Sequence, residues 1–173
     1  MISKEMSDAL NNHMNLELFS AHLYLSMSSY ANTLGLKGAA NWFTVQYREE
    51  MVHFFKFYTY LIDQGENITL LAGNAVPNEY KSLLEMLEKT LEHEQRITKC
   101  INELSEQAVQ ERDHATQIFL QWFITEQIEE ENNDRDLIAK LKLVGANGHG
   151  ILMIDSEMGQ RIFTPPPGTT VMI

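Results

Sequence analysis

Proline is absent from this chain until Pro77 and the glycines fall in clusters, so the sequence is left free of helix breakers for tens of residues at a time. That punctuation predicts four long helices: about Lys4 to Thr33, stopping before Gly35; about Gly38 to Gln64, ended by Gly65; about Glu79 to Gln107, after Pro77 and Asn78; and about Arg112 to Val144, stopping at Gly145. A short fifth helix is predicted from about Gly150 to Met158, carrying Ile151, Leu152, Met153 and Ile154. Gly145, Gly148 and Gly150 separate it from the fourth, so its apolar face is expected to pack on partner subunits and not on its own bundle. Residues 1–158 then form one domain, and 159–173, with Pro165 to Pro167 and Gly168, read as an extended or disordered tail.

Connection lengths fix the topology. The first and third joints are only about five residues long, which makes the helices they join antiparallel neighbours. The second joint, Glu66 to Asn78, reaches roughly 43 Å when extended, and a helix of about 28 residues is roughly 42 Å long. It can therefore run the length of the bundle and leave the second helix parallel to the third. The predicted fold is all-α, a four-helix bundle with one long crossover and a short fifth helix at the C-terminal end.

The formal charge of -11, with only 13 Lys and Arg, disfavours a nucleic-acid partner, because phosphate binding needs cationic side chains to displace counterions. No apolar run of about 18 residues and no basic-then-apolar leader is present, so neither membrane span nor secretion is expected and the predicted location is cytoplasmic. The single Cys100 cannot close an internal disulfide or a CxxC metal site, so any metal must be held by O and N donors.

Each long helix has an acidic intruder in its apolar stripe. Glu17 interrupts Leu10, Met14, Ala21 and Tyr24; Glu50, with His53 one turn on, interrupts Phe43, Tyr47, Phe54, Phe57 and Leu61. Glu94 lies among Leu83, Leu87, Ile97 and Ile101, and Glu130 among Phe119, Phe123, Leu137 and Leu141, while Gln127 shares the face of Leu120, Phe123 and Ile138. All sit near the middle of their helices, so packing in register brings them to one level. One buried carboxylate is most often a satisfied core group. Four at one level repel, and two divalent ions would balance their charge. Carboxylates with one imidazole suit iron or manganese. A second Glu-x-x-His, Glu111 to His114, lies roughly 20 Å from Gln127 along the helix axis and reads as surface. Tyr24, seven residues after Glu17, is either a hydrogen-bonded core tyrosine or a participant; Trp122 and Met51 read as packing, and His13, His22, His93 and His149 as exposed.

Taken together, Glu17 in Asn-Leu-Glu-Leu, Tyr24, Glu50-Met-Val-His53, Glu94 in Glu-His-Glu-Gln, and the run Leu120 to Glu131 resemble the prokaryotic non-haem ferritins over residues 1 to about 158. The resemblance implies a ferritin-like bundle that stores iron as a ferroxidase in shells of 24 subunits, oxidising Fe(II) with O2 or H2O2 and mineralising the product. It implies that Glu17, Glu50 and His53 hold one iron and Glu50, Glu94 and Glu130 a second, with Glu50 bridging and Gln127 close by. Haem-containing bacterioferritins carry a second Glu-x-x-His where this chain has Gln127 and Glu130, so haem is not expected.

Glu49 is rotated about 100° from Glu50 and so faces outward, while Glu126, Glu129 and Glu130 form one patch on the fourth helix. A solvated acidic face is the plain reading of these residues. The resemblance favours a third iron site instead, built from Glu49, Glu126, Glu129 and a shared Glu130. The competing classes are a di-iron oxygenase with an organic substrate, for which Tyr47, Phe54, Trp122 and Phe123 leave little room, a helical signalling bundle, and a small DNA-protecting iron shell.

Overall fold

A computed structural model describes residues 2–166. Its helices are α1 (Lys4–Thr33), α2 (Lys37–Asp63), α3 (Leu83–Gln110), α4 (His114–Val144) and α5 (Gly148–Met158), and no strand occurs among the described residues. The first long helix has the expected ends and the second lies one residue earlier at each; the next two begin later than expected, and α3 also ends later, at Gln110 and not Gln107. Helix α3 starts at Leu83 and not Glu79, because the Ser82 hydroxyl accepts from Glu85 N–H and supplies the cap. Helix α4 starts at His114 and not Arg112: Arg112 takes a positive φ of 57°, and Asp113 caps the helix through Thr116 N–H.

Helix α1 packs along α2 and α3 along α4. The crossover between α2 and α3 can be followed by its hydrogen bonds to α1. The Ser7 hydroxyl donates to Glu66, Asn11 and Asn15 grip the backbone of Thr69, Ser26 donates to the Pro77 carbonyl, and Tyr30 donates to that of Tyr80. Contacts that advance together along both segments mean that the crossover runs beside α1 from one end to the other. Helix α3 therefore starts where α2 starts and runs parallel to it.

Helix α5 docks on its own bundle, against α2 and α4, which corrects the expectation that it does not pack there. Ile154, Asp155 and Met158 are buried. Asp155 Oδ1 accepts from Ala39 N–H at 2.8 Å and so caps the start of α2, which has no side-chain cap of its own. Gly38 makes this approach feasible: a Cβ there would lie 1.6 Å from the Asp155 carbonyl oxygen. Leu152 and Met153 remain exposed on the outer side.

The apolar core falls into two blocks. One gathers Met27, Phe43, Leu87, Leu141 and Ile154; the other gathers Leu10, Phe57, Ile101, Leu120 and Phe123. The acidic intruders lie between them, at a seam halfway along the bundle. Residues 161–166 have no regular secondary structure, and the part of the predicted tail from 167 on lies outside the described residues.

Candidate metal centre

Glu17, Glu50 and His53 offer donor atoms that all lie within 4.8 Å of one another, and all three side chains are buried. His53 Nδ1 lies 3.3 Å from Glu50 Oε2 and 3.9 Å from Glu17 Oε2. Glu17 has one polar neighbour on its own helix, His13, whose Nε2 lies 2.9 Å from Oε1, and no well-aligned hydrogen bond reaches either of its oxygens. A buried carboxylate with so little to satisfy it is costly, and a second one, Glu50, beside it adds to the cost, so the set fits a cation between the donors. Hard oxygen ligands with one imidazole are the donors iron takes.

Glu94 and Glu130 are buried at the same seam but stand outside that tight group. Other side chains hold them. Tyr24 O–H donates a short hydrogen bond to Glu94 Oε1, and Gln127 Nε2 donates to Glu94 Oε2 at 2.9 Å. Gln46 Nε2 donates to Glu130 Oε2 at 2.9 Å. Trp122 sets its ring edge against His53, with centroids 5.4 Å apart, as a packing neighbour of the centre.

The electrostatics record the crowding. Burial, reinforced by Glu94 and Glu17, pushes Glu50 well above the usual carboxylate range. Burial likewise raises Glu94 to about 8, with Glu130 adding to the effect and the Gln127 and Tyr24 hydrogen bonds opposing it. For Glu17 burial also acts upward, but His13 and then His53 outweigh it and bring the group down to about 2. One member of the Glu17–Glu50 pair thus ionises readily while the other keeps its proton, as expected when like charges share a buried site.

Four residues of the seam escaped the sequence reading. His13 and His93, expected at the surface, are buried. His13 Nε2 lies 2.9 Å from Glu17 Oε1, and His93 Nε2 lies 2.7 Å from the Ser20 hydroxyl, with burial lowering His93 to about 4. Gln46 is fully buried as the donor to Glu130, and Asp134, 1% exposed, has one oxygen without a partner. His22 and His149 are exposed as expected, as are Glu111 and His114.

Glu49, Glu126, Glu129 and Glu130 line one small pocket of about 60 Å³ together with Arg161, Thr164 and Pro166. Glu49 is not the free outward group that the sequence indicated. Arg161 Nη2 lies 2.6 Å from its Oε2. Even so, burial, opposed by Arg161, raises Glu49 to about 8.

Comparison with known proteins gives one consistent answer. The model of the ferritin-like domain family matches residues 7–144. A probable bacterial non-heme ferritin-like protein of Haemophilus influenzae is 41% identical over 159 residues, 92% of this chain and 96% of that protein. A bacterial non-heme ferritin of Campylobacter jejuni is 41% identical over 155 residues, 90% and 93% of the two chains. Among solved structures, an engineered closed form of the Archaeoglobus fulgidus ferritin superposes with a TM-score of 0.93 at 44% identity, covering 95% of this chain and 100% of that one. A structure of the open-pore ferritin of the same archaeon gives 0.92 at 43%, covering 94% and 99%.

Proposed function

The chain belongs to the ferritin family, and on that premise we propose that it stores iron, oxidising Fe(II) inside the bundle and holding the product as a ferric mineral. The observation that carries this reading is the cluster of Glu17, Glu50 and His53, three buried ligand-type side chains with donor atoms within 4.8 Å of one another in the seam between two apolar blocks.

Two Fe(II) ions are the substrate. Glu17, Glu50 and His53 take the first; Glu50, Glu94 and Glu130 take the second, so that Glu50 is shared. Four ionised carboxylates balance two divalent charges, so iron entry displaces the protons that burial keeps on Glu50 and Glu94. Each ion gives up one electron. Two electrons and two protons convert one O2 to H2O2, or one H2O2 to two waters. Gln127 and Tyr24 orient Glu94 through their hydrogen bonds, and Tyr24, in contact with a ligand, is placed to give a further electron. Glu49, Glu126 and Glu129, with Glu130 shared, form a third iron site that passes ions from the pair toward the storage cavity. Its donors are oxygens alone, so it binds more weakly and exchanges faster. The shell is a homo-oligomer of 24 subunits in the cytoplasm. Among the described residues no helix is long and apolar enough to cross a membrane.

Aerobic addition of Fe(II) to the metal-free protein, followed by absorbance and sedimentation, tests this. Fast oxidation and a single large particle that grows denser with iron are expected. Glu50→Ala should leave the particle intact and slow initial oxidation at least about tenfold, because it removes the shared ligand. A variant rate within about twofold of wild type, or a small particle that takes up no mineral, would refute the reading.

A further inference from the structure

Arg161 follows the last helix, beyond the part of the chain that matches the family model, and side chains of α2 hold it on both its backbone and its guanidinium. Asn41 Nδ2 donates to the carbonyls of Arg161 at 2.9 Å and Gly159 at 3.4 Å, which ties this segment to α2. The guanidinium lies over the Trp42 ring, 4.8 Å from its centroid. From there it reaches into the acidic pocket. One nitrogen binds Glu49 Oε2 at 2.6 Å and the other donates a short hydrogen bond to Gln46 Oε1. Gln46 passes the contact on, since its amide nitrogen donates to Glu130 at 2.9 Å. A tail cation is thereby linked, through one glutamine, to a carboxylate of the seam.

Resting on the third iron site proposed above, we infer that Arg161 is a built-in competitor for that site: an ion settling among Glu49, Glu126 and Glu129 must displace its guanidinium. Three features require this. The pocket is about 60 Å³, room for one ion and a few waters, and Arg161 is one of its walls. Arginine has no neutral form in proteins, so it cannot make way by losing a proton. Its contact with Glu49 occupies an oxygen that the ion would need. The stacking on Trp42 and the backbone tie through Asn41 do not involve the acidic groups, so the side chain can leave Glu49 while the segment stays docked. The arginine therefore keeps the pocket electrically balanced between ions and weakens its hold on each one, which favours transit over retention. Displacement also frees Gln46 Oε1, so filling of the outer site loosens the amide that orients Glu130.

The test uses the full-length metal-free assembly and Zn(II), which is redox-inert. Binding is followed by calorimetry, and each site is located by anomalous diffraction from Zn(II)-soaked crystals. Arg161→Gln should take Zn(II) at the outer pocket at least about tenfold more tightly than wild type and release it correspondingly more slowly. Arg161→Lys, which keeps the charge, should stay within about threefold of wild type. Glu49→Gln/Glu126→Gln/Glu129→Gln should abolish this site whether Arg161 is present or replaced. Equal outer-site affinity in wild type and Arg161→Gln, or weaker binding in the variant, overturns the competitor role while the third site stands. Outer-pocket density that persists unchanged in the triple variant overturns the third site, and the inference with it.

Discussion

Asp134 illustrates what the seam costs the metal-free protein. Burial, reinforced by Glu94 and Glu130, raises its carboxyl to about 9, and Glu94 and Glu49 stand at about 8. For groups raised on folding, the protonated form is the one the fold tolerates. The associated stability is full below the ordinary carboxylate range and is lost as pH rises toward 8 and 9, by up to about 1.4 kcal/mol per pH unit per group. Glu17, lowered to about 2, has the opposite sign: its contribution is present above about 4.5 and is lost as acid protonates it. Urea unfolding of the metal-free protein should therefore show stability falling between pH 5 and pH 9, with a shallower slope in Asp134→Asn. Identical slopes in the two proteins would contradict this assignment. The polar residues that the sequence reading missed sit close to those it found. His13 and Gln46 are four residues before Glu17 and Glu50, and Asp134 is four after Glu130, so helical spacing put all three on ligand faces. Asp134 was masked by Asn132, Asn133, Arg135 and Asp136, which make that turn look solvated. His93 adjoins Glu94, and a 100° step turns it off the ligand face, but Phe19 and Ser20 of α1 cover it there.

At the scale of elements, the four long helices were legible because apolar periodicity and glycine punctuation agree over tens of residues. Helix starts were less so, since they depend on which of several polar residues caps, and Ser82 and Asp113 do so here. The docking of α5 was not legible at all. Its apolar run shows that it needs a partner but not which one, and the deciding features are Gly38 on α2 and the Asp155 cap on Ala39. Gly38→Ala must push α5 off, because its Cβ would meet backbone and not a flexible side chain. Overpacking of this kind costs about 1–3 kcal/mol, which is roughly 2–12 °C in Tm for a chain of this size. Thermal unfolding by circular dichroism checks this, and an unchanged Tm would mean that α5 is not held at this crossing. The same variant should loosen Arg161, whose carbonyl is fixed three residues along α2 by Asn41.

For the whole molecule, the crossover decides the geometry of the centre. By running the length of α1 it makes α2 and α3 parallel and brings the midpoints of four helices to one level, so that a polar seam separates two apolar blocks. Length alone indicated that path, and the hydrogen bonds from Ser7 to Tyr30 trace it. Exposed apolar side chains, among them Ile118, Ile128, Leu143, Leu152 and Met153, supply faces that an assembled shell would cover. A seam with this many buried carboxylates is built to hold two metal ions. The most direct measurement is anomalous diffraction at the iron edge from crystals soaked anaerobically in Fe(II). Two strong peaks per subunit are expected at the seam, one among Glu17, Glu50 and His53 and one among Glu50, Glu94 and Glu130, with both lost in Glu50→Ala. Iron density absent from the seam, or present there unchanged in Glu50→Ala, would contradict it.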